Sequence, residues 1–244
     1  MFPNWQSRTQ LLIGEDALKR LSLAHVLVVG LGGVGAYVAE MLCRAGVGEL
    51  TLVDGDVFSE TNLNRQLPAT ISTLERPKTD VLAERLLDIN PNIKLHLHNV
   101  FLRDELTIDL LQKCRYSFVV DAIDTLSPKV FLLYHALQNE LRVVSSMGSG
   151  GKLDPSLVRI ADISKSEYCR LAKMVRKRLH KLGVRRGITV VYSTEEVSSS
   201  AIDLTENDEP NKNSTIGTIS YMPAVFGCFL SSFVIRELIK IEEK

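Results

Sequence analysis

The chain has 244 residues, 45% of them hydrophobic and 24% charged, a globular composition that excludes the disordered, collagen-like and coiled-coil classes. Twenty-nine Lys and Arg balance 29 Asp and Glu, so the overall charge of zero argues neither for nor against a polyanionic partner. Four widely spaced cysteines, Cys43, Cys114, Cys169 and Cys228, form no CxxC pair, and the N-terminal MFPNWQSRTQ lacks the basic-then-apolar order of an export signal, so a cytoplasmic protein with reduced thiols is expected.

Short apolar runs alternate with longer segments of helical period, the pattern of βαβ units around a parallel sheet. His25 to Val29 reads as the first buried strand, Val34 to Arg44 as the helix after it, and Leu50 to Val53 as the second strand. Lys78 to Ile89 is a helix entered through Pro77 and stopped by Asn90 and Pro91. Ile93 to Val100 alternates like a half-buried strand; His96 and His98 share its face, yet no third ligand at a suitable spacing accompanies them, so zinc is not expected there. Tyr116 to Val120 and Arg142 to Ser145 are strands flanking a helix at Pro128 to Asn139. After a turn at Gly148, Gly150 and Gly151 come a strand at Leu157 to Ile160, a basic helix at Lys165 to Leu182 and a strand at Ile188 to Tyr192. A polar loop at 197–215 then precedes the final helix.

No charge occurs from Ile216 to Ile235, long enough in principle to cross a bilayer. Pro223 divides the stretch and Gly and Ser dilute it, so a buried helix from about Ala224 is expected and membrane insertion is not. These elements predict an α/β, Rossmann-like, doubly wound, mostly parallel sheet with a C-terminal antiparallel extension and a final helix. Residues 1–244 read as a single domain, with a nucleotide-binding half at about 1–150 and a substrate-facing half at about 151–244.

Directly after the first strand comes Gly30-Leu31-Gly32-Gly33-Val34-Gly35, a GxGxxG that opens a helix. Gly30, Gly32, Gly33 and Gly35 permit a tight turn and close approach of backbone to phosphate, and the helix N-terminus offers N–H groups to an anion. Asp54, at the end of the second strand, is placed to accept ribose hydroxyls. The turn alone does not choose between a dinucleotide and ATP. Asp56, Asn62, Arg65 and Gln66, Lys78 and Asp124 follow in order; strand ends of a parallel sheet bring Asp54 and Asp124 to the crevice of the glycine turn, with Arg65 and Lys78 entering from the side. Two cations and an extra carboxylate suit displacement at phosphorus, where negative charge spreads over oxygens that Arg, Lys and a carboxylate-held Mg2+ neutralise.

These motifs (GLGGVG, LVDGDVFSETNLNRQ, the RPK holding Lys78, and DAIDT) resemble the signature series of the E1-like, ubiquitin-activating-type adenylating enzymes. Within that superfamily, VVDAIDTLSPK, SMGSGGKLDP and the basic segment ending in VVYSTE are most similar to the tRNA threonylcarbamoyladenosine dehydratases. The resemblance implies a homodimer that uses ATP and Mg2+ to adenylate the carboxylate of a threonylcarbamoyl-modified adenosine in tRNA. Ring closure within the modified base then releases AMP. It implies nucleotide contacts from Gly32 and Gly33, a ribose contact from Asp54, phosphate contacts from Arg65 and Lys78, and a metal contact from Asp124. Arg8 matches an arginine reaching in from the partner subunit.

Two readings of the substrate follow. Relatives that activate a ubiquitin-like sulfur carrier commonly hold two CxxC zinc pairs and an acyl-accepting cysteine; activation of such a carrier is the alternative function, and a sulfur-transfer protein is a further candidate partner. Against it stands the segment from Lys165 to Arg186, with nine Lys or Arg and the single acid Glu167. Lys173, Arg176, Lys177, Arg178, Lys181 and Arg185 form a footprint suited to the phosphates of tRNA. Glu195 to Glu209 carries six acids and no base, as a contact for the basic helix or a lid.

Overall fold

In the computed structural model, which describes residues 2–203 and 215–240, the apolar runs join into one seven-stranded sheet. Its strands are β1 (His25–Val29), β2 (Glu49–Val53), β3 (Lys94–His98), β4 (Phe118–Asp121), β5 (Val143–Ser146), β6 (Val158–Asp162) and β7 (Thr189–Ser193), in the order β3-β2-β1-β4-β5-β7-β6. All neighbours pair in parallel except β6 with β7. The order reverses between β1 and β4, and at such a switch point the connecting loops diverge and leave a crevice beyond the strand ends. This is the doubly wound, mostly parallel sheet with an antiparallel extension that the sequence predicts.

The helices are α1 (Ser7–Ile13), α2 (Glu15–Leu23), α3 (Gly35–Ala45), α4 (Lys78–Ile89), α5 (Asp104–Gln112), α6 (Leu126–Gln138), α7 (Arg170–Lys181) and α8 (Tyr221–Ile239); a small pair, β8 (Ile202–Asp203) and β9 (Thr215–Ile216), lies apart from the main sheet. Alternation along the strands divides the core in two. Val26, Val28, Leu50, Leu52 and Val120 pack with Val38 and Leu42 of α3, Leu82 and Leu86 of α4, and Phe226 and Leu230 of α8. Leu27, Val29, Val119 and Val190 face the other way, onto Leu110 of α5, Leu132 and Leu133 of α6, and Val175 and Leu179 of α7. A strand buried on both faces has no polar alternation to offer, which is why β1 reads as a continuous apolar run. Each buried Leu or Phe contributes roughly 1.5–3 kcal/mol relative to exposure.

The starts of two helices depart most from the sequence reading. α8 begins at Tyr221, ahead of Pro223. A proline in the first helical turn gives up an N–H that has no intrahelical acceptor there, so it does not delay the start. α8 is long and apolar enough to span a membrane by length and composition, but it lies against α3, where Gly227 lets the helices close: a Cβ there would stand 2.8 Å from the Val34 carbonyl oxygen. The basic helix begins at Arg170 instead of Lys165. Tyr168 takes a left-handed backbone (φ +54°) and Cys169 caps the helix through its sulfur, so helical geometry cannot extend back through them. Most of the polar loop at 197–215 lies outside the described residues.

Candidate active site

The glycine turn sits at the switch point between β1 and β4. Gly30 closes β1 with a positive φ (+86°), and a Cβ on it would fall 2.8 Å from the Ala122 carbonyl oxygen beyond β4. Gly35 is tighter still: its Cβ would lie 1.7 Å from the Gly30 carbonyl oxygen. Both positions therefore require glycine, and they bring the start of α3 down onto the strand ends. Among the described residues no side chain caps α3, so its first-turn N–H groups and the positive end of its dipole remain for an anionic ligand.

Asp54 locks this turn to β2. Its Oδ2 accepts the Leu31 N–H at 2.6 Å, and its Oδ1 accepts the Asp56 N–H at 2.8 Å. Burial pushes the Asp54 carboxyl above its ordinary value, against the Lys78 ammonium and the two backbone donors, which act to lower it. Lys78 is 5% exposed; its Nζ donates to Asp56 Oδ2 at 2.9 Å and its N–H to the Asp56 carbonyl at 3.0 Å. One cation thus sits between two carboxylates at the foot of the crevice.

Arg65 approaches from the neighbouring loop. Its Cγ is 3.4 Å from the Cβ position of Gly33, while Nη1 donates to the Thr61 carbonyl and to Asn64 Oδ1, each at 2.8 Å. Gln66 is buried beside Gly32, and among the described residues its Oε1 is an acceptor without a hydrogen-bond partner. A buried acceptor at a glycine turn calls for a donor from a ligand, and a nucleotide carries such donors on its sugar and base. Asn62 plays a different part: its Oδ1 accepts the Ser59 N–H at 3.3 Å in a capping box that shapes the loop. Asp124 is exposed at the tip beyond β4, two residues past the Ala122 that Gly30 contacts.

The structure therefore gathers Gly30, Gly32, Gly33, Gly35, Asp54, Asp56, Arg65, Gln66 and Lys78 around one turn. Arg8 stands apart, exposed on α1 beside Leu11 and Leu12, which are 88% and 85% exposed.

Beneath the tip lies a network that the sequence motifs do not reveal. Lys129 Nζ donates to Asp121 Oδ2 (2.5 Å), Ser145 Oγ (3.1 Å) and the Ser146 carbonyl (2.9 Å), and Ser145 Oγ donates to Asp121 Oδ2 at 2.5 Å. Both charged side chains are fully buried. Asp121 Oδ1 also accepts the Ile123 N–H at 3.0 Å and so fixes the backbone leading to Asp124. Every Lys129 proton has an acceptor, the condition under which a buried ion pair is tolerated; removing one partner of such a pair typically costs about 3–5 kcal/mol. The only sequence signal is a strand-end Asp followed eight residues later by a Lys in the next helix.

The basic segment divides into two kinds of side chain. Lys173, Lys177, Arg178, Lys181 and Arg185 are exposed, but Arg176 is half-buried and turned inward, its Nη1 donating to the Ser166 carbonyl at 2.7 Å and to Ser166 Oγ. Arg178 also reaches Ser127 Oγ at 2.7 Å. At the N-terminal end of α7 a cavity of about 490 Å³ is lined by Tyr168, Cys169, Arg170, Lys173 and Arg176. Tyr168 is 59% exposed there, an aromatic face among cations that the sequence reading did not single out. Of the acidic segment, Glu195 meets the glycine-rich turn and not α7: its carboxylate accepts the N–H groups of Leu153 and Asp154, each at 2.9 Å, and its carbonyl accepts from the buried Lys152.

A switch-point crevice, an uncapped helix behind a glycine turn and a strand-end aspartate define an α/β nucleotide-binding protein. The model of the ThiF family matches residues 6–244, and the chain belongs to that family. It is 36% identical over 246 residues to the tRNA threonylcarbamoyladenosine dehydratase of Bacillus subtilis (strain 168), covering 96% of this chain and 94% of that protein. The Haemophilus influenzae protein of the same name is 37% identical over 94% of this chain and 91% of its own length. The crystal structure of Escherichia coli tRNA N6-threonylcarbamoyladenosine dehydratase, TcdA, in complex with ATP matches with a TM-score of 0.87 at 31% identity, covering 98% and 96% of the two chains.

Proposed function

We propose that this chain is an ATP-dependent tRNA threonylcarbamoyladenosine dehydratase. The observation that carries the reading is the glycine turn ringed by Asp54, Lys78 and Arg65, in a chain aligned along nearly its whole length with proteins of that name. The threonylcarbamoyl carboxylate attacks the α-phosphorus of ATP and pyrophosphate leaves. A nucleophile of the same modified base then attacks the acyl carbon, closing a ring and expelling AMP, so the nucleoside loses one water overall.

Each chain residue has a physical task in this reading. The first-turn N–H groups of α3 receive phosphate, and Gln66 Oε1 accepts a nucleotide donor. Lys78 and Arg65 neutralise the charge that builds on the phosphorus oxygens as pyrophosphate departs. Asp124, exposed at the tip, is the residue that would hold Mg2+, and the ion would supply positive charge against the phosphate oxygens. No cysteine is needed as acyl acceptor, because the second nucleophile is already attached to the substrate. That agrees with Cys169, 7% exposed, whose sulfur accepts the Ala172 N–H and caps α7.

The exposed cations of α7 serve the tRNA backbone, and the 490 Å³ cavity with Tyr168 offers a face on which a base can stack. Leu11, Leu12 and Arg8 on α1 form the surface for a second subunit, and a cytoplasmic homodimer belongs to the same reading.

The test is mass spectrometry of nucleosides from threonylcarbamoyladenosine-bearing tRNA incubated with enzyme and ATP. Loss of one water from the modified nucleoside, dependent on ATP, is the expected result. An unchanged nucleoside, together with pyrophosphate exchange driven by a small protein ending in Gly-Gly, would replace this reading with activation of a sulfur carrier.

A further inference from the structure

At the sheet edge opposite the glycine turn, three side chains from adjacent strands converge. Parallel pairing sets His25, the first residue of β1, beside Glu49, the first of β2, and sets Thr51 beside His96 of β3. Side chains alternate along a strand, so Glu49 and Thr51 project from one face, and their register partners project with them. Glu49 Oε1 lies 3.6 Å from His25 Nδ1 and 2.7 Å from His96 Nε2, and one ligating atom from each of the three falls within 4.8 Å of the others.

The surroundings orient this group. His25 Nε2 is engaged with the Thr51 hydroxyl at 2.8 Å, and Nδ1 faces Glu49, with the Cys114 sulfur 3.7 Å away on the same nitrogen. Thr51 is 2% exposed, and the Tyr116 ring stands edge-on against His25 at 4.8 Å between centroids. A hydrogen bond on the far imidazole nitrogen is the usual way a metal-binding histidine is held in place. A plain Glu49–His96 ion pair would need neither His25 nor this anchor. The side chains of His96 and Glu49 are 50% and 30% exposed, so an ion has a path in from solvent.

We infer that His25 Nδ1, Glu49 Oε1 and His96 Nε2 bind one divalent transition ion of the zinc class, with water completing its shell. Two imidazoles and a carboxylate are a donor set that Zn2+ accepts; bonds of about 2.0–2.2 Å place neighbouring ligand atoms roughly 3.3 Å apart, which lies between the two separations seen here. The ion clips β3, the edge strand, to β2 and β1. β1 runs five residues from His25 before Gly30, so the site lies about 16 Å from the glycine turn and acts on stability, apart from the nucleotide chemistry.

Zn2+ titrated into chelator-stripped full-length protein, followed by calorimetry and thermal unfolding, tests this. The expected result is one ion per chain and, at zinc about 100-fold above Kd, a rise of roughly 5 °C or more in Tm. In His96→Ala, which alters an exposed side chain, and in Glu49→Gln, the Zn2+ affinity should fall by at least the roughly 100-fold that marks the upper end for loss of an outer-shell partner, since here a ligand itself is lost, while ATP affinity stays unchanged. Zinc binding that survives in both variants, or a wild-type protein that takes up no stoichiometric zinc, overturns the assignment.

Discussion

The crevice at the C-terminal ends of β1 and β4 and the surface of α7 present anion-binding chemistry in opposite ways. The first is made of backbone: the N–H groups of an uncapped helix, held by two glycines that tolerate no Cβ and by one aspartate bonded to two amides. Its cation, Lys78, is buried and already paired. The second is made mostly of long exposed side chains on a single helix; among the described residues Arg176, half-buried, and Arg178 are the ones tied to the protein. Rigid, desolvated dipoles stabilise charge at one point without reorganising, whereas mobile solvated cations attract a polyanion along its length and are screened by salt. The structure thus separates a place suited to chemistry from a place suited to capture.

The sharpest way to break that contrast is at Gly35. Gly35→Ala drives a Cβ into the Gly30 carbonyl, and by overpacking costs of a few kcal/mol ATP affinity should fall more than about 100-fold by calorimetry. At the α7 end no single alanine should approach that size.

Arg65→Ala and Lys78→Ala come next and should lower turnover, Arg65 by up to the roughly 10³- to 10⁵-fold typical of arginine groups in phosphoryl transfer. Asp54 adds a pH signature. Its carboxyl titrates above the unfolded value of about 3.9, so the stability linked to it is full below that pH and is lost as pH rises through the folded value. In thermal unfolding across the acid range, the stability of the wild type relative to Asp54→Asn should show this fall, and the fall should extend upward when both are compared in a Lys78→Ala background.

Replacing Lys173, Lys177 and Lys181 together with alanine should weaken tRNA binding, with ATP affinity intact. The slope of log affinity against log salt should become shallower by about 0.7–0.9 for each phosphate no longer neutralised. An unchanged slope would remove α7 from the tRNA interface. The smallest effect divides neighbours within α7: Arg176→Ala leaves the Ser166 carbonyl without its donor and should cost about 1–3 kcal/mol in urea unfolding, whereas Lys177→Ala should cost nothing measurable.

The same contrast explains what could be read from the sequence. β1 and α4 were legible to the residue, because continuous burial leaves an apolar run and Pro77 and Asn90 mark the ends of α4. The glycine turn was legible because the need for φ > 0 and for close approach selects one residue type. α1 is not legible in the sequence, because none of its side chains is buried and no helical apolar face shows in SRTQLLI. The Lys129–Asp121–Ser145 network and the convergence of His25, Glu49 and His96 depend on which strands become neighbours, and spacing along a chain does not carry that. The inward turn of Arg176 is likewise invisible in a run of like charges.

The central claim is that the crevice disperses the charge formed when a carboxylate displaces pyrophosphate from ATP. ATP–pyrophosphate exchange in the presence of threonylcarbamoyladenosine-bearing tRNA measures that step directly. Exchange should require the modified tRNA and collapse in both Arg65→Ala and Lys78→Ala; exchange that persists undiminished in both variants would contradict that role of the crevice.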